Sequence, residues 1–152
     1  MLRARKYGGM LLAGLISGGA VVAIAQDAAI EKRTSLMKSQ GGYFKALNQT
    51  AKGELPFSPD TVKAAEGVVS TSKQVAMAFK GGAPGKGSAA KSEIWSDWAG
   101  FEKAAKDFEA AAPQLVAAAQ SNDAAKLGEA NKTVGAACGG CHKAYKADKK
   151  QE

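Results

Sequence analysis

The sequence predicts an all-α protein, an antiparallel up-and-down bundle of four helices. Beyond residue 25 the chain is rich in Ala, Lys and Glu. No stretch there alternates apolar and polar residues with the period of two that marks a strand. Four segments instead repeat apolar residues with the helical period, so each has one apolar face. Helices of this kind pack most simply side by side as a bundle.

The first two predicted helices lie before residue 80. The first begins near Asp27 and ends before Gly53. Its inward face comprises Ile30, Arg33, Met37, Phe44 and Leu47. The second starts after Ser58-Pro59, because serine is a good N-terminal cap and proline is tolerated in the first helical turn. Its inward face comprises Val62, Ala65, Val69, Ala76 and Phe79.

A glycine-rich loop over residues 80–91 separates these helices from the other two. The third helix is predicted to be capped by Ser92 or Ser96, and Pro113 should kink it because proline removes a backbone hydrogen bond. Its inward face comprises Trp95, Phe101, Ala105, Phe108, Ala112 and Leu115. The fourth helix starts near Asn122 or Asp123. Its inward face comprises Leu127, Val134, Ala137, Cys138, Cys141 and Tyr145.

The predicted core is short of large side chains. Alanine and glycine fill many inward positions where a helical bundle normally has leucine. Because protein interiors are packed to crystal-like density, the remaining space must be occupied by something else. A large, flat cofactor would occupy it.

The strongest motif is Cys138-Gly139-Gly140-Cys141-His142 on the fourth helix. Residues three and four apart share a helix face, so both cysteines project together and His142 lies one turn after Cys138. This is the pattern of covalent haem attachment, in which two thioether bonds hold the porphyrin edge and the imidazole reaches the iron. His142 is the only histidine in the chain, so it is the predicted ligand on this side of the iron.

Other uses of two cysteines and one histidine fit less well. A zinc site needs about four ligands. A CxxC redox pair usually accompanies a βαβ pattern, which this sequence lacks. A disulfide between such close neighbours closes almost no loop and therefore stabilises little.

Residues 1–25 have the features of a signal peptide. Arg3, Arg5 and Lys6 precede an apolar run over residues 8–22, and residues 23–25 supply small side chains for cleavage. The run is short and interrupted by glycines, which disfavours a membrane span and leaves a retained N-terminal anchor as the alternative. The predicted domain is therefore residues 26–152, exported to the periplasm and free of the membrane after cleavage.

The charge of the chain restricts its partners. It has 21 Lys and Arg against 14 Asp and Glu, a formal net charge of +7. Three of the basic residues and none of the acidic ones lie in the predicted signal segment, so the mature domain carries +4. The lysines are spread without a basic stripe, which argues against nucleic-acid binding. A mildly basic surface suits salt-sensitive encounters with acidic partner proteins.

The position of the haem motif on the last of four helices makes the chain resemble the class II c-type cytochromes, the cytochrome c′ and cytochrome c556 family. Four segments carry this resemblance: residues 33–38 (RTSLMK), 51–57 (AKGELPF), 93–97 (EIWSD) and 138–146 (CGGCHKAYK). It covers essentially all of the mature chain. It implies a four-helix bundle with one covalent haem c and its iron. Many members form homodimers through the first two helices.

The resemblance also implies what lies on the far side of the iron. In the c556 branch a methionine of an LMK-type motif on the first helix binds the iron, and this sequence has Leu36-Met37-Lys38. In the c′ branch an apolar or aromatic residue covers the iron, which stays five-coordinate and binds nitric oxide and other small gases. Met37 therefore either ligates the iron or packs over the haem without bonding.

A thioether ligand raises the haem potential, so the leading hypothesis is a periplasmic electron carrier with redox partner proteins. The alternative is a gas-binding cytochrome c′. An enzyme such as a peroxidase is disfavoured, because the sequence has no second histidine to act as a distal acid or base.

Four further residues are predicted to contact the haem. Arg33 lies one turn before Met37 and is expected to pair with a propionate, unless its side chain snorkels at the bundle edge. The resemblance implies that Lys146 stacks along the proximal imidazole or stays solvated. Trp95 and Phe101 are predicted to line the haem pocket, with ordinary core burial as the alternative.

Overall fold

The computed structural model describes residues 18–148, with side chains from Ile24 onward. The described residues form seven helices and no strand: α1 (Gly18–Ala51), α2 (Pro59–Ser72), α3 (Val75–Phe79), α4 (Glu93–Ser96), α5 (Trp98–Ala111), α6 (Gln114–Gln120) and α7 (Ala124–Tyr145). They follow the four predicted segments, since α2 with α3 makes up the second and α4 to α6 the third. Helix α1 packs on α2 and α7, and α5 packs on α7. The all-α prediction is confirmed.

The second predicted helix is broken after Ser72, and α3 begins at Val75. Two hydroxyl groups bond back to the preceding turn beside this break. The Thr71 hydroxyl donates to the Gly67 carbonyl at 2.7 Å, and the Ser72 hydroxyl donates to the Val69 carbonyl at 2.8 Å. Such side-chain bonds to the backbone weaken or bend a helix, which explains why the break falls here.

The inward face of α2 differs in part from the predicted one. Ala65 is buried as predicted, and Val68, 1% exposed, and Ala64 are buried although they were not predicted to be. Val62 and Val69, which were predicted to point inward, are only half-buried. Small and apolar residues occur on several faces of this helix, so its periodicity does not single out one of them.

The third predicted helix is interrupted twice. The predicted kink at Pro113 is confirmed, because α5 ends at Ala111 and α6 begins at Gln114. An additional break at Asp97 separates α4 from α5.

Ser92 occupies the N-cap position of α4, one of the two serine positions predicted, but its side chain makes no capping hydrogen bond there. The Asp97 carboxylate instead caps α5 by accepting a hydrogen bond from the backbone N–H of Gly100 at 3.2 Å.

Helix α7 begins at a strong cap. The Asp123 carboxylate accepts hydrogen bonds from the backbone N–H groups of Ala125 at 2.9 Å and Lys126 at 3.1 Å. We expect Asp123→Ala to lower the free energy of unfolding by about 1 kcal/mol, because two N–H groups lose their partner. Urea unfolding followed by circular dichroism measures this effect. In the control Asp107→Ala, which removes only an exposed ion pair to Lys103, a loss of the same size would contradict the capping argument.

The end of α7 is held by the segment that joins α3 to α4. The backbone N–H of Lys91 donates to the Tyr145 carbonyl at 3.0 Å, and that of Ala147 donates to the Ala89 carbonyl at 2.8 Å. The Lys91 ammonium also donates to the carbonyls of Lys143 and Ala144 at 3.4 and 3.3 Å. These bonds fix the C-terminal turn of α7, which contains His142, the last residue of the haem motif.

The predicted signal peptide falls mostly outside the described residues, and residues 18–25 form the first turns of α1. Among residues 18–148, none of the helices combines the length and the apolar character needed to span a membrane.

Candidate haem site

Two adjoining cavities lie among α1, α3, α5 and α7. The larger has a volume of about 350 Å³ and the smaller about 180 Å³. Met37, Val75, Cys141 and His142 line both of them. The two spaces therefore meet at the haem motif and at the predicted methionine ligand.

The walls of the larger cavity are mainly apolar. Phe79, Ile94 and Phe101 supply large side chains, and residues 87–90 of the loop contribute a further wall. Two exposed lysines, Lys38 and Lys146, also line this cavity. The space is therefore suited to a hydrophobic group that carries negative charge at its edge.

Helix α7 brings the motif residues to these cavities. Cys138 lines the smaller cavity, and Cys141 lines both. Both side chains are half-buried, and burial raises the pKa of each thiol. His142 is exposed at the cavity edge. Loss of water around the ring lowers the pKa of His142, and the positive charge of Lys146 lowers it further, so the neutral imidazole that ligates metal is favoured.

Helix α1 supplies another wall of the two cavities. Met37 is half-buried and lines both cavities, and Gln40 and Phe44 extend the same face into the smaller one. Leu36 is half-buried against the core but lines neither of these cavities. This is the helical register expected if Met37, rather than its neighbour, faces a bound group.

Arg33 tests whether these residues fit haem. Its side chain lines the larger cavity and is only 3% exposed, yet its Nε and Nη1 groups are buried with no hydrogen-bond partner. Its one hydrogen bond goes from Nη2 to the Ala83 carbonyl at 3.3 Å. Burial lowers the pKa of Arg33, which records the cost of holding its charge away from water. A buried cation with unpaired donors fits an anionic group such as a haem propionate.

The remaining predicted site residues divide into two groups. Phe101 and Lys146 line the larger cavity, as expected for residues near the cofactor. Trp95 lines neither of the two cavities and packs against Arg33 and Phe79 instead.

Sequence reasoning did not find several of the lining residues. Val75 opens a helix after a break that the sequence does not mark, and residues 87–90 belong to a loop without periodicity. Tyr145 was expected to be a core residue, and it does line the larger cavity with 9% exposure. Its hydroxyl also donates to the Asp97 carboxylate at 2.8 Å, which ties the motif helix to the N-terminus of α5. The only feature of the sequence that could have indicated this hydrogen bond is the hydroxyl of Tyr145 on an otherwise apolar helix face.

A helical bundle with CxxCH on its last helix, beside an apolar cavity, defines a class II c-type cytochrome. The family model described as Cytochrome C′ matches residues 28–146. The chain belongs to this family, whose members carry covalent haem c with its iron, and it is an electron-transfer or gas-binding haem protein. Cys138 and Cys141 occupy the two cysteine positions of the attachment motif.

Relatives of both branches resemble the chain. It is 35% identical to the cytochrome c′ of Rhodospirillum rubrum over 130 residues, which cover 84% of this chain and 88% of the relative. It is 39% identical to the cytochrome c-556 of Agrobacterium fabrum over 146 residues, covering 91% and 92%. A solved cytochrome c′ variant of Alcaligenes xylosoxidans with bound NO has a TM-score of 0.72 and 32% identity, covering 82% of this chain and 97% of that one.

Proposed function

We propose that this protein is an exported electron carrier whose iron is six-coordinate and low-spin, with His142 and Met37 as the axial ligands. The observation that carries the proposal is that both side chains line both cavities, one from α7 and one from α1. A haem in this space would have a potential iron ligand on each of two different helices. Thioether and imidazole are both established iron ligands in electron-transfer cytochromes.

Met37 has only one competitor in the mature chain. Residues 26–152 contain two methionines, and the other, Met77, is 72% exposed and lines neither cavity. Met37 is therefore the only one of these two methionines that could reach an iron bound in the cavities. Its sulfur is the softest uncharged donor on that side of the space.

The other residues have distinct roles in the proposal. Cys138 and Cys141 hold the macrocycle through thioethers, and Arg33 binds a propionate. When bound, haem supplies one iron that takes up and releases a single electron. A methionine ligand raises the reduction potential and occupies the position that a gas would need.

The partner we propose is a redox protein with an acidic surface. Lys38 and Lys146 are exposed where they line the larger cavity, and neither has an ion-pair partner among the described residues. Uncompensated positive charge at the cavity attracts an acidic surface and speeds association at low salt.

Export and self-association complete the proposal. The sequence of residues 1–25 supports export to the periplasm, and mass spectrometry of the purified protein tests whether the mature chain starts at Gln26. The family resemblance implies a homodimer through α1 and the second helical segment, which sedimentation tests.

The absorption and electron paramagnetic resonance spectra of the ferric and ferrous protein test the coordination. We expect low-spin spectra in both states and no binding of carbon monoxide. Met37→Ala should convert the iron to high spin and open it to carbon monoxide, because the sixth ligand is lost. Met77→Ala is the matched control and should leave the spectra unchanged. High-spin spectra of the native protein would contradict the assignment of Met37.

A gas-binding cytochrome c′ is the second candidate. It is favoured by the apolar walls formed by Val75, Phe79, Ile94 and Phe101, and by the bound NO in the Alcaligenes relative. This candidate predicts five-coordinate iron and ready binding of nitric oxide or carbon monoxide without any mutation.

A further inference from the structure

Arg33 lies in an unusual environment for a charged side chain. Among the residues that the structure describes, Arg33 is the only buried one with a charged side chain. None of the described carboxylates forms an ion pair with it. Burying a charge is costly unless other groups compensate it. Within the protein, something other than a carboxylate must therefore hold the guanidinium against the cavity.

Two aromatic rings take that place. The guanidinium carbon of Arg33 lies 5.3 Å from the ring centroid of Phe79 and 5.3 Å from that of Trp95. The centroids of those two rings are 6.5 Å apart and their planes are inclined by 41°, so the rings form an aromatic corner around the cation. The negative face of an aromatic ring attracts a cation at this distance, and most strongly for tryptophan.

The corner is itself fixed in position. The Trp95 indole N–H donates to the Phe79 carbonyl at 2.9 Å, which joins α4 to the end of α3. Gly82 closes another side, since a Cβ there would lie 2.7 Å from Nη1 of Arg33 and 3.3 Å from Nε1 of Trp95. Arg33 is thus confined by rigid groups and has few alternative rotamers.

We infer that Trp95 is a positioning residue that acts through Arg33: the aromatic corner holds the guanidinium charge against the larger cavity and so raises the reduction potential of the haem iron. Trp95 lines neither cavity, whereas Arg33 and Phe79 do, so Trp95 influences the cofactor indirectly. A fixed positive charge favours the added electron of the ferrous state, and it acts more strongly where water is excluded.

The redox reaction that this charge influences transfers one electron. Ferric iron takes one electron from a reduced partner protein and gives it to an oxidised one. Arg33 keeps its proton throughout, because a guanidinium does not lose it in proteins. The inference requires haem in the cavity but not ligation by Met37, so it holds for five- or six-coordinate iron.

The test is the reduction potential of the intact haem protein, measured by optical titration against redox dyes. Arg33→Leu should lower the ratio of ferrous to ferric protein at a fixed ambient potential by about tenfold. Trp95→Leu should lower the same ratio by about threefold, because the charge is no longer held in place. Trp95→Phe keeps the ring and loses the indole hydrogen bond, so it should give a smaller change in the same direction.

Two control variants distinguish the loss of the Arg33 position from a general loosening of the side-chain packing. Trp98→Leu removes a tryptophan that packs on Phe101, with ring centroids 5.6 Å apart, and it should leave the ratio unchanged. The double variant Arg33→Leu/Trp95→Leu should shift the ratio no further than Arg33→Leu alone, since Trp95 acts through Arg33.

Several outcomes would overturn the inference. They are an unchanged potential in both Trp95 variants, additive shifts in the double variant, or an equal shift in Trp98→Leu. The spectra of each variant report the iron coordination separately. A failure of the Met37 assignment is therefore visible in the native protein, independently of the Trp95 result.

Discussion

A chain with Cys138→Ala and Cys141→Ala is expected to carry no covalently attached haem. The thioether bonds form from these two thiols, and they are the only cysteines in the sequence. The expected loss is complete, because no other side chain of the protein can form such a bond. Haem staining of a denaturing gel and the mass of the intact chain measure it directly.

The single variants make this experiment sharper. Cys138→Ala and Cys141→Ala each leave one thiol, so each should retain one thioether bond and remain stained. Met77→Ala, which changes an exposed residue that lines neither cavity, serves as the control for expression and export. Haem that stays with the double variant after denaturation would contradict the assignment of the motif.

The motif and the general fold were accessible from sequence because each depends on short-range spacing. Cys138, Cys141 and His142 lie within five residues on one helix, and helical geometry alone brings them to one face. Arg33 and Met37 lie one turn apart for the same reason, and the structure places both on the larger cavity. Pro113 marks its kink through covalent chemistry that does not depend on context.

The features that were missed depend on hydrogen bonds that the sequence pattern does not single out. The break between Ser72 and Val75 has no proline to mark it, and the hydroxyls beside it bond to carbonyls three and four residues earlier in α2, which serines and threonines do in some helices and not in others. Asp97 became the cap of α5 in place of a serine. The same residue also accepts the Tyr145 hydroxyl, a bond between residues far apart in sequence.

For Trp95, the local sequence pattern predicted an inward-facing side chain but not the residue that this side chain contacts. Its spacing with Phe101 indicated a common inward face, but α4 and α5 are separate helices, so the two side chains need not follow one stripe. Phe101 lines the larger cavity, whereas Trp95 covers the guanidinium of Arg33. Phe79 and Trp95, which surround Arg33, come from different helices. The periodicity within one helix therefore cannot predict that the two rings meet at this side chain.

Removal of haem is expected to destabilise the chain by most of its folding free energy. The larger cavity alone is about 350 Å³ and has mainly apolar walls. At about 24 cal/mol per Å³ of cavity, leaving that volume unfilled costs at most about 8 kcal/mol. The total stability of a domain is roughly 5–15 kcal/mol. The haem-free double-cysteine variant should therefore unfold at a much lower urea concentration than the haem protein, or without a cooperative transition.

A core substitution away from the cavities provides a reference for this loss of folding free energy. Leu127 is fully buried on α7 and lines neither cavity. Leu127→Ala should cost about 3 kcal/mol while the haem stays attached, which is clearly less than removal of the haem. Urea unfolding followed by circular dichroism compares the three proteins on one scale. If the haem-free chain unfolded at the same midpoint as the haem protein, the side chains alone would fill the core, and the alanine-rich faces of the bundle would need another explanation.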